Sequence, residues 1–369
     1  MDNYDGDFIQ RHARAVSGYC QVEVIYVVKT KGSRGVEKII TGNLTENIIY
    51  YRSFQTGIKI FDQYLSIQKY RQLYRKAICN YITDNGKPHC IHIHVAMNAG
   101  LAALWANKKW GIPYIISEHW TAYLANADQR IDNKPALFIK LIKQVFEQAK
   151  LITVVSDHLG KAIQQHFSGI NFKVIPNVVN TDVFFPVAKK QTEKYQLIHV
   201  SNMNYQKNTE DILRALQLVY QQRQDFCLQL FGPIKQTIQE LINSLGLQHN
   251  VFMNGEVNQT ILATAMQQAN ALILYSRFET FGCVLIEANA CGVPVIVSDI
   301  AVFHELVEEN VNGVFVKGED AVALAKAISK FMKDNLPFNP DDIAGKAAAK
   351  YSYKAVGQQF DLLYDHISA

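Results

Sequence analysis

At 369 residues the chain is long enough for about two domains, and its 49% hydrophobic and 19% charged residues exclude a disordered, collagen-like or low-complexity protein. Six scattered cysteines without Cys-x-x-Cys spacing, and no signal-peptide pattern, exclude a disulfide scaffold and predict a cytoplasmic setting. No apolar run reaches about 18 residues, so no transmembrane helix is expected. The net charge of +4 is unevenly spread: residues 1–178 hold 22 Lys and Arg against 13 Asp and Glu (+9), residues 179–369 hold 15 against 20 (−5). That asymmetry suggests an anionic substrate or surface on the N-terminal side.

In chain order, residues 5–16 read as a glycine loop around Gly6 running into an amphipathic helix, followed by a strand over 21–28. Lys38 to Ile40 and Asn47 to Tyr51 read as further strands. A long helix is expected over 59–83, with apolar or aromatic residues at Ile60, Tyr64, Ile67, Tyr70, Tyr74, Ile78 and Tyr81 and a basic cluster of Lys69, Arg71, Arg75 and Lys76. Its plainer reading is a core-facing helix with a solvated side. The sharper one is contact with an anionic membrane. His89, Cys90, His92 and His94 invite a metal reading, but the alternation of His92 and His94 is the period of a strand and no further spaced ligand follows, so no metal is expected. His94 and His119 each fall at the carboxyl end of a strand, where open α/β sheets place their ligands.

A strand at 151–156, an extended stretch at 172–184 and a polar linker at 189–192 lead to a second series. A strand ending near Ser201 precedes a polar loop carrying Lys207. Strand and turn units at 228–233 and 251–256 alternate with helices at 235–245 and 258–269. Helices over 301–307 and 320–332, a strand over 312–316 and a final helical stretch over 341–366 complete an alternating order.

The most informative stretch is 271–297. Ala271 to Tyr275 suits a buried parallel strand, and a helix then runs from about Gly282 to Cys291, closed by Gly292 with Pro294 beyond. A helix opening directly after a strand aims free amides and the positive end of its dipole at the sheet edge, which makes an anion site. Glu287, five residues in, lies ~7 to 8 Å from those amides at ~1.5 Å per residue, about the span from a diphosphate to ribose hydroxyls. Glu279 in the preceding loop would face whatever the diphosphate carries.

Glu279 and Glu287, with Thr280, Phe281, Gly282 and Gly292 between and after them, resemble the two-glutamate signature of the retaining glycosyltransferases of family 4, which have the GT-B fold. The resemblance implies two doubly wound Rossmann-like domains facing across a cleft: an acceptor-side domain over 1–185, a nucleotide-sugar-binding domain over 186–350 and a C-terminal helix over 351–369. It implies transfer of a hexosyl group from a nucleotide-sugar to a hydroxyl acceptor, in polysaccharide, glycolipid or other cell-envelope glycan synthesis. Glu279 and His119 would face the donor sugar, Glu287 the ribose, and Thr280, Phe281, Gly282 and Lys207 the phosphates, with Gly6 gripping donor or acceptor. Where the family has an arginine this chain has Asn202, and Arg277 is the candidate replacement. In the family a strand precedes the glycine loop near the centre of the N-terminal sheet; here Met1 to Tyr4 precede it, so a misplaced start, a fragment or a sheet without that strand is expected. No Asp-x-Asp motif follows a strand of the second domain, so neither a metal nor another cofactor is expected. Partners would be a nucleotide diphosphate sugar, a glycan or lipid-linked acceptor and an anionic membrane face, not nucleic acid. Two other classes fit the same pattern: a nucleotide-sugar epimerase of this architecture, and a non-catalytic partner subunit.

Overall fold

The computed structural model describes residues 7–368 apart from 31, 33, 53, 55, 98, 191 and 334–337. The expectation for Gly6 therefore lies outside the described residues.

The N-terminal half begins with α1 (Asp7–Ser17), a strongly amphipathic helix that buries Arg11, His12, Ala15 and Val16. Strand β1 (Val22–Lys29) follows, then the hairpin β2 (Gly35–Thr41) and β3 (Leu44–Tyr51), whose turn is made by Gly42 at φ +58°. These pair in the order β1-β3-β2, β1 with β3 parallel and β2 with β3 antiparallel. After α2 (Lys59–Asn85) come β4 (Ile91–His94), α3 (Ala99–Trp110), β5 (Tyr114–Glu118), α4 (Ala136–Glu147), β6 (Leu151–Val154), α5 (Asp157–His166) and β7 (Lys173–Val174). Strands β4 to β7 form a second parallel sheet. Among the described residues no strand joins β1 to β4, so the sheet of this half is divided where the resemblance places a further strand. Helices bridge the division: α2 and α3 enclose a small core of Val27, Tyr51, Tyr74, Ile78, Ala102 and Ala106 that also takes in Ile25 of β1 and Ile91 of β4.

The C-terminal half is one six-stranded parallel sheet in the order β10-β9-β8-β11-β12-β13. It is built from β8 (Tyr195–Val200), α6 (Thr209–Tyr220), β9 (Phe226–Phe231), α7 (Gln236–Ser244), β10 (Val251–Met253), α8 (Gln259–Gln268), β11 (Ala271–Leu274), α9 (Cys283–Ala290), β12 (Val295–Ser298), β13 (Gly313–Val316) and α10 (Ala321–Lys333). Strands β11 and β12 read Ala-Leu-Ile-Leu and Val-Ile-Val-Ser and are buried throughout, as continuous apolar runs covered on both faces must be. Each fully buried Leu, Ile or Phe there contributes about 1.5–3 kcal/mol.

Three differences from the sequence expectations are local. The helix expected at 301–307 is a short 3-10 turn, Ala301–Glu305. Of the stretch 172–184 only β7 is strand, because Pro176 and the Asn177 to Asn180 run break the ladder. The terminal stretch is two helices, α11 (Pro340–Tyr351) and α12 (Tyr353–Ser368), separated at Ser352. Helix α12 crosses back to lie on α1, where Gly357 is needed: a Cβ at that position would stand 2.3 Å from the Ala15 carbonyl oxygen. Val16, Ile175, Val178, Val356 and Phe360 close that contact.

Candidate active site

Between β11 and β12 the chain folds as its apolar runs dictate, and this positions both glutamates. Residues 276–281 leave the strand as a loop, Gly282 takes φ +106° and no side chain caps α9. The Leu285 amide bonds the Gly282 carbonyl at 2.9 Å, which leaves the Cys283 and Val284 amides of the first turn without a partner inside the helix. Gly292, at φ +70°, ends the helix as expected, and a Cβ there would strike Pro340 of α11 at 2.8 Å.

Glu279 is 5% exposed and accepts hydrogen bonds from Ser276 Oγ at 3.0 Å and Gln206 Nε2 at 3.1 Å, with Lys207 Nζ as its ion-pair partner. Lys207 thus comes to the site as expected, but its ammonium sits on Glu279 and must release that carboxylate to reach a phosphate. Arg277 does not stand as a free replacement cation: Nε meets Glu319 at 3.0 Å and the guanidinium lies 4.2 Å from the Tyr205 ring centre. Asn202 is solvent-exposed. The Thr280 carbonyl accepts from Ser156 Oγ at 2.7 Å, and Phe281 is buried edge-on to Tyr351.

Glu287 is 3% exposed, and its partner is one that sequence reasoning missed. Arg11 of α1 reaches it at 2.6 Å, bonds the Val178 carbonyl at 3.3 Å and pairs with Asp7 one turn earlier. Burial opposes the Arg11 charge, but the carboxylates of Glu287 and Asp7 outweigh it and hold the guanidinium above its ordinary value. Burial pushes the Glu287 carboxyl up while Arg11 pulls it back. Nothing in the periodicity of α1 distinguishes Arg11 from a solvated arginine; only its place five residues after the glycine loop marks it. Other links join the halves. Gln259 donates to Asp7 at 2.9 Å, and Glu305 accepts from the Asp157 and His158 amides at 2.7 and 2.8 Å, capping α5.

His119 lies where expected, just past β5, and is 8% exposed. Glu118 beside it is fully buried and accepts from the amides of Ala96, His119 and Trp120 at 2.9 Å each, locking together the loops that follow β4 and β5. His94 Nδ1 meets His119 Nε2 at 3.1 Å, and His12 of α1 closes the group with its ring 5.5 Å from that of His119. Burial pushes the His12 imidazole down to about 4 and those of His94 and His119 well below the usual histidine range, so all three are neutral at physiological pH.

The matched families cover the chain in two pieces: glycosyltransferase family 4 over residues 20–183 and glycosyl transferases group 1 over 180–353. The chain belongs to these glycosyltransferases. An uncharacterized glycosyltransferase of Methanocaldococcus jannaschii is 24% identical over 60% of this chain, and the chain spans 61% of that relative's length. The N-acetyl-alpha-D-glucosaminyl L-malate synthase of Bacillus anthracis is 26% identical over 74% of each. Sucrose-phosphate synthase from Thermosynechococcus elongatus superposes with a TM-score of 0.81 at 19% identity, over 98% of this chain and 93% of that one. Anabaena HepE, solved with UDP and glucose, superposes with a TM-score of 0.68 at 17% identity over 86% of each chain. The fold of this glycosyltransferase is GT-B.

Proposed function

We propose that the chain transfers a hexosyl group from a nucleotide diphosphate sugar to a hydroxyl acceptor, with retention at the anomeric carbon. The observation that carries this is the pair of buried carboxylates, Glu279 and Glu287, on either side of the uncapped N-terminus of α9. In this reading Glu287 takes the ribose hydroxyls, the α9 amides take the diphosphate, and Glu279 and His119 orient the sugar. Charge developing on the departing diphosphate is met by Lys207 and Arg277, once each leaves its carboxylate, together with the α9 dipole, without a divalent cation. HepE, solved with UDP and UDP-glucose, supports a nucleotide-sugar donor. The test is calorimetric titration with UDP, GDP and ADP, followed by turnover of the matching nucleotide-sugar with and without acceptor. Product from donor alone would point to an epimerase, and no binding to any of the three would sink the reading.

In the same reading the acceptor is a glycan or a lipid-linked hydroxyl, the latter met at an anionic membrane face. Among the described residues no helix is long and apolar enough to cross a membrane. The periodicity of α2 suggests one core-facing stripe, but only its second half is packed in that way. Ile60, Phe61, Tyr64 and Ile67 of the first half are 81%, 48%, 57% and 48% exposed. Exposed Lys29 lines the same hollow as Ile67 of this apolar ridge, and a cation beside exposed apolar side chains is suited to anionic headgroups.

A further inference from the structure

We propose that His12, His94 and His119 form a binding site for a transition-metal ion of the zinc class. The three residues come from α1, the end of β4 and the exit of β5, and each offers a ring nitrogen within 4.8 Å of the others. His12 Nε2 lies 3.1 Å from the Pro176 carbonyl, which can only accept, so Nε2 carries the ring hydrogen and Nδ1 carries the lone pair. That lone pair is buried in a residue 1% exposed and has no hydrogen-bond partner. His119 Nδ1, in a residue 8% exposed, also has none. Buried polar atoms are nearly always paired, so the unpaired His12 Nδ1 beside two further histidines points to an electrophilic ligand, while His119 Nδ1 is the nitrogen that would carry its ring's hydrogen when Nε2 serves as donor.

The chemistry suits an ion of this class. Imidazole is its preferred nitrogen donor, and three histidines with an open fourth position are a known zinc arrangement. Bonds of ~2.0–2.1 Å hold tetrahedral donors roughly 3.3 Å apart, and the His94–His119 contact is already 3.1 Å. Closing His12 onto that pair, from ring separations of 5.4 and 5.5 Å, gives up the His94–His119 hydrogen bond. The His94–His119 hydrogen bond holds one hydrogen between the two donor nitrogens, and binding an ion moves it to the other nitrogen of that ring. Outer contacts are in place as well. Pro176 fixes the His12 tautomer, and Glu118 anchors the loops bearing His119 and Ala96. An ion here would occupy His119, so it would inhibit glycosyl transfer. That consequence rests on the proposed sugar-side role of His119; binding of the ion does not.

The full chain, stripped with chelator, is titrated with Zn²⁺ against a chromophoric chelator and with Co²⁺ by visible absorption. One ion per chain is expected, with a tetrahedral cobalt spectrum. His12→Phe and His94→Asn should each weaken binding by ~100-fold or more. His92→Asn should bind normally, because His92 is engaged with Tyr364 and Ser117 at 2.7 and 2.8 Å. No binding at micromolar zinc overturns the site, as does binding that survives the His12→Phe/His94→Asn double variant. Should His12→Phe not fold, His94→Asn alone decides. Stoichiometric zinc binding without loss of transfer keeps the site and removes His119 from the sugar.

Discussion

The C-terminal half carries its six strands in a single parallel sheet, whereas the N-terminal half divides its seven described strands between two sheets that only helices connect. The consequence is visible in burial. Every residue of β11 and β12 is buried, but β2 is exposed along its whole length and α2 projects an apolar ridge into solvent. The half with the continuous sheet presents the uncapped N-terminus of α9. The divided half supplies Arg11, paired to Glu287, and the histidine cluster at α1 and the ends of β4 and β5.

The comparison breaks most sharply at the two glutamates. Glu279→Ala should reduce transfer by about 10³-fold while the protein stays folded, as loss of a preorganised polar group at the reacting centre does; steady-state kinetics with circular dichroism checks both. Arg11→Gln should cost about 3–5 kcal/mol of stability, because it leaves the buried Glu287 carboxylate without its cation. The same change should tighten nucleotide binding, since the ribose no longer competes with a guanidinium. Thermal unfolding and titration read the two opposite signs.

Acid sharpens the comparison in another way. Burial lowers His12 and His199 to about 4 and His92 to about 3. Above pH 6.5 these rings are neutral folded or unfolded. Below it the unfolded chain takes protons that the folded one refuses, so stability is lost as pH falls from 6.5 toward 3. Each histidine contributes about 1.4 kcal/mol per pH unit across its window. Four of the five strongly shifted histidines, with His94 and His119, lie in the N-terminal half. A pH series of melting curves should show that half failing first, and His92→Asn should flatten the slope. The smallest effect expected is at the ridge. Ile60→Glu with Phe61→Glu should abolish sedimentation with anionic vesicles while changing melting by no more than about 0.5 kcal/mol, as exposed positions do.

Much of this was legible in the sequence because local rules and burial agreed. The Ala271 to Val297 stretch is read correctly down to Gly292, since apolar runs, a glycine-opened helix and a left-handed cap each have one physical solution. Lys207 and His119 were placed by their positions after strands. What stayed hidden depends on contacts distant in sequence. Arg11 and Glu287 are 276 residues apart, and the carboxylates that hold Lys207 and Arg277 lie 72 and 42 residues away. The histidine cluster also escaped, because its third member comes from α1 rather than from the His92 to His94 strand. Ile60 and Tyr64 misled because helical periodicity marks a face without saying whether anything covers it.

The central claim is that the C-terminal half holds the nucleotide through Glu287. Calorimetric titration of UDP into the protein and into Glu287→Ala tests it most directly. Binding with one site per chain that weakens by about 100-fold in the variant, some 2.7 kcal/mol, is the predicted result. Equal affinity in both proteins would contradict it.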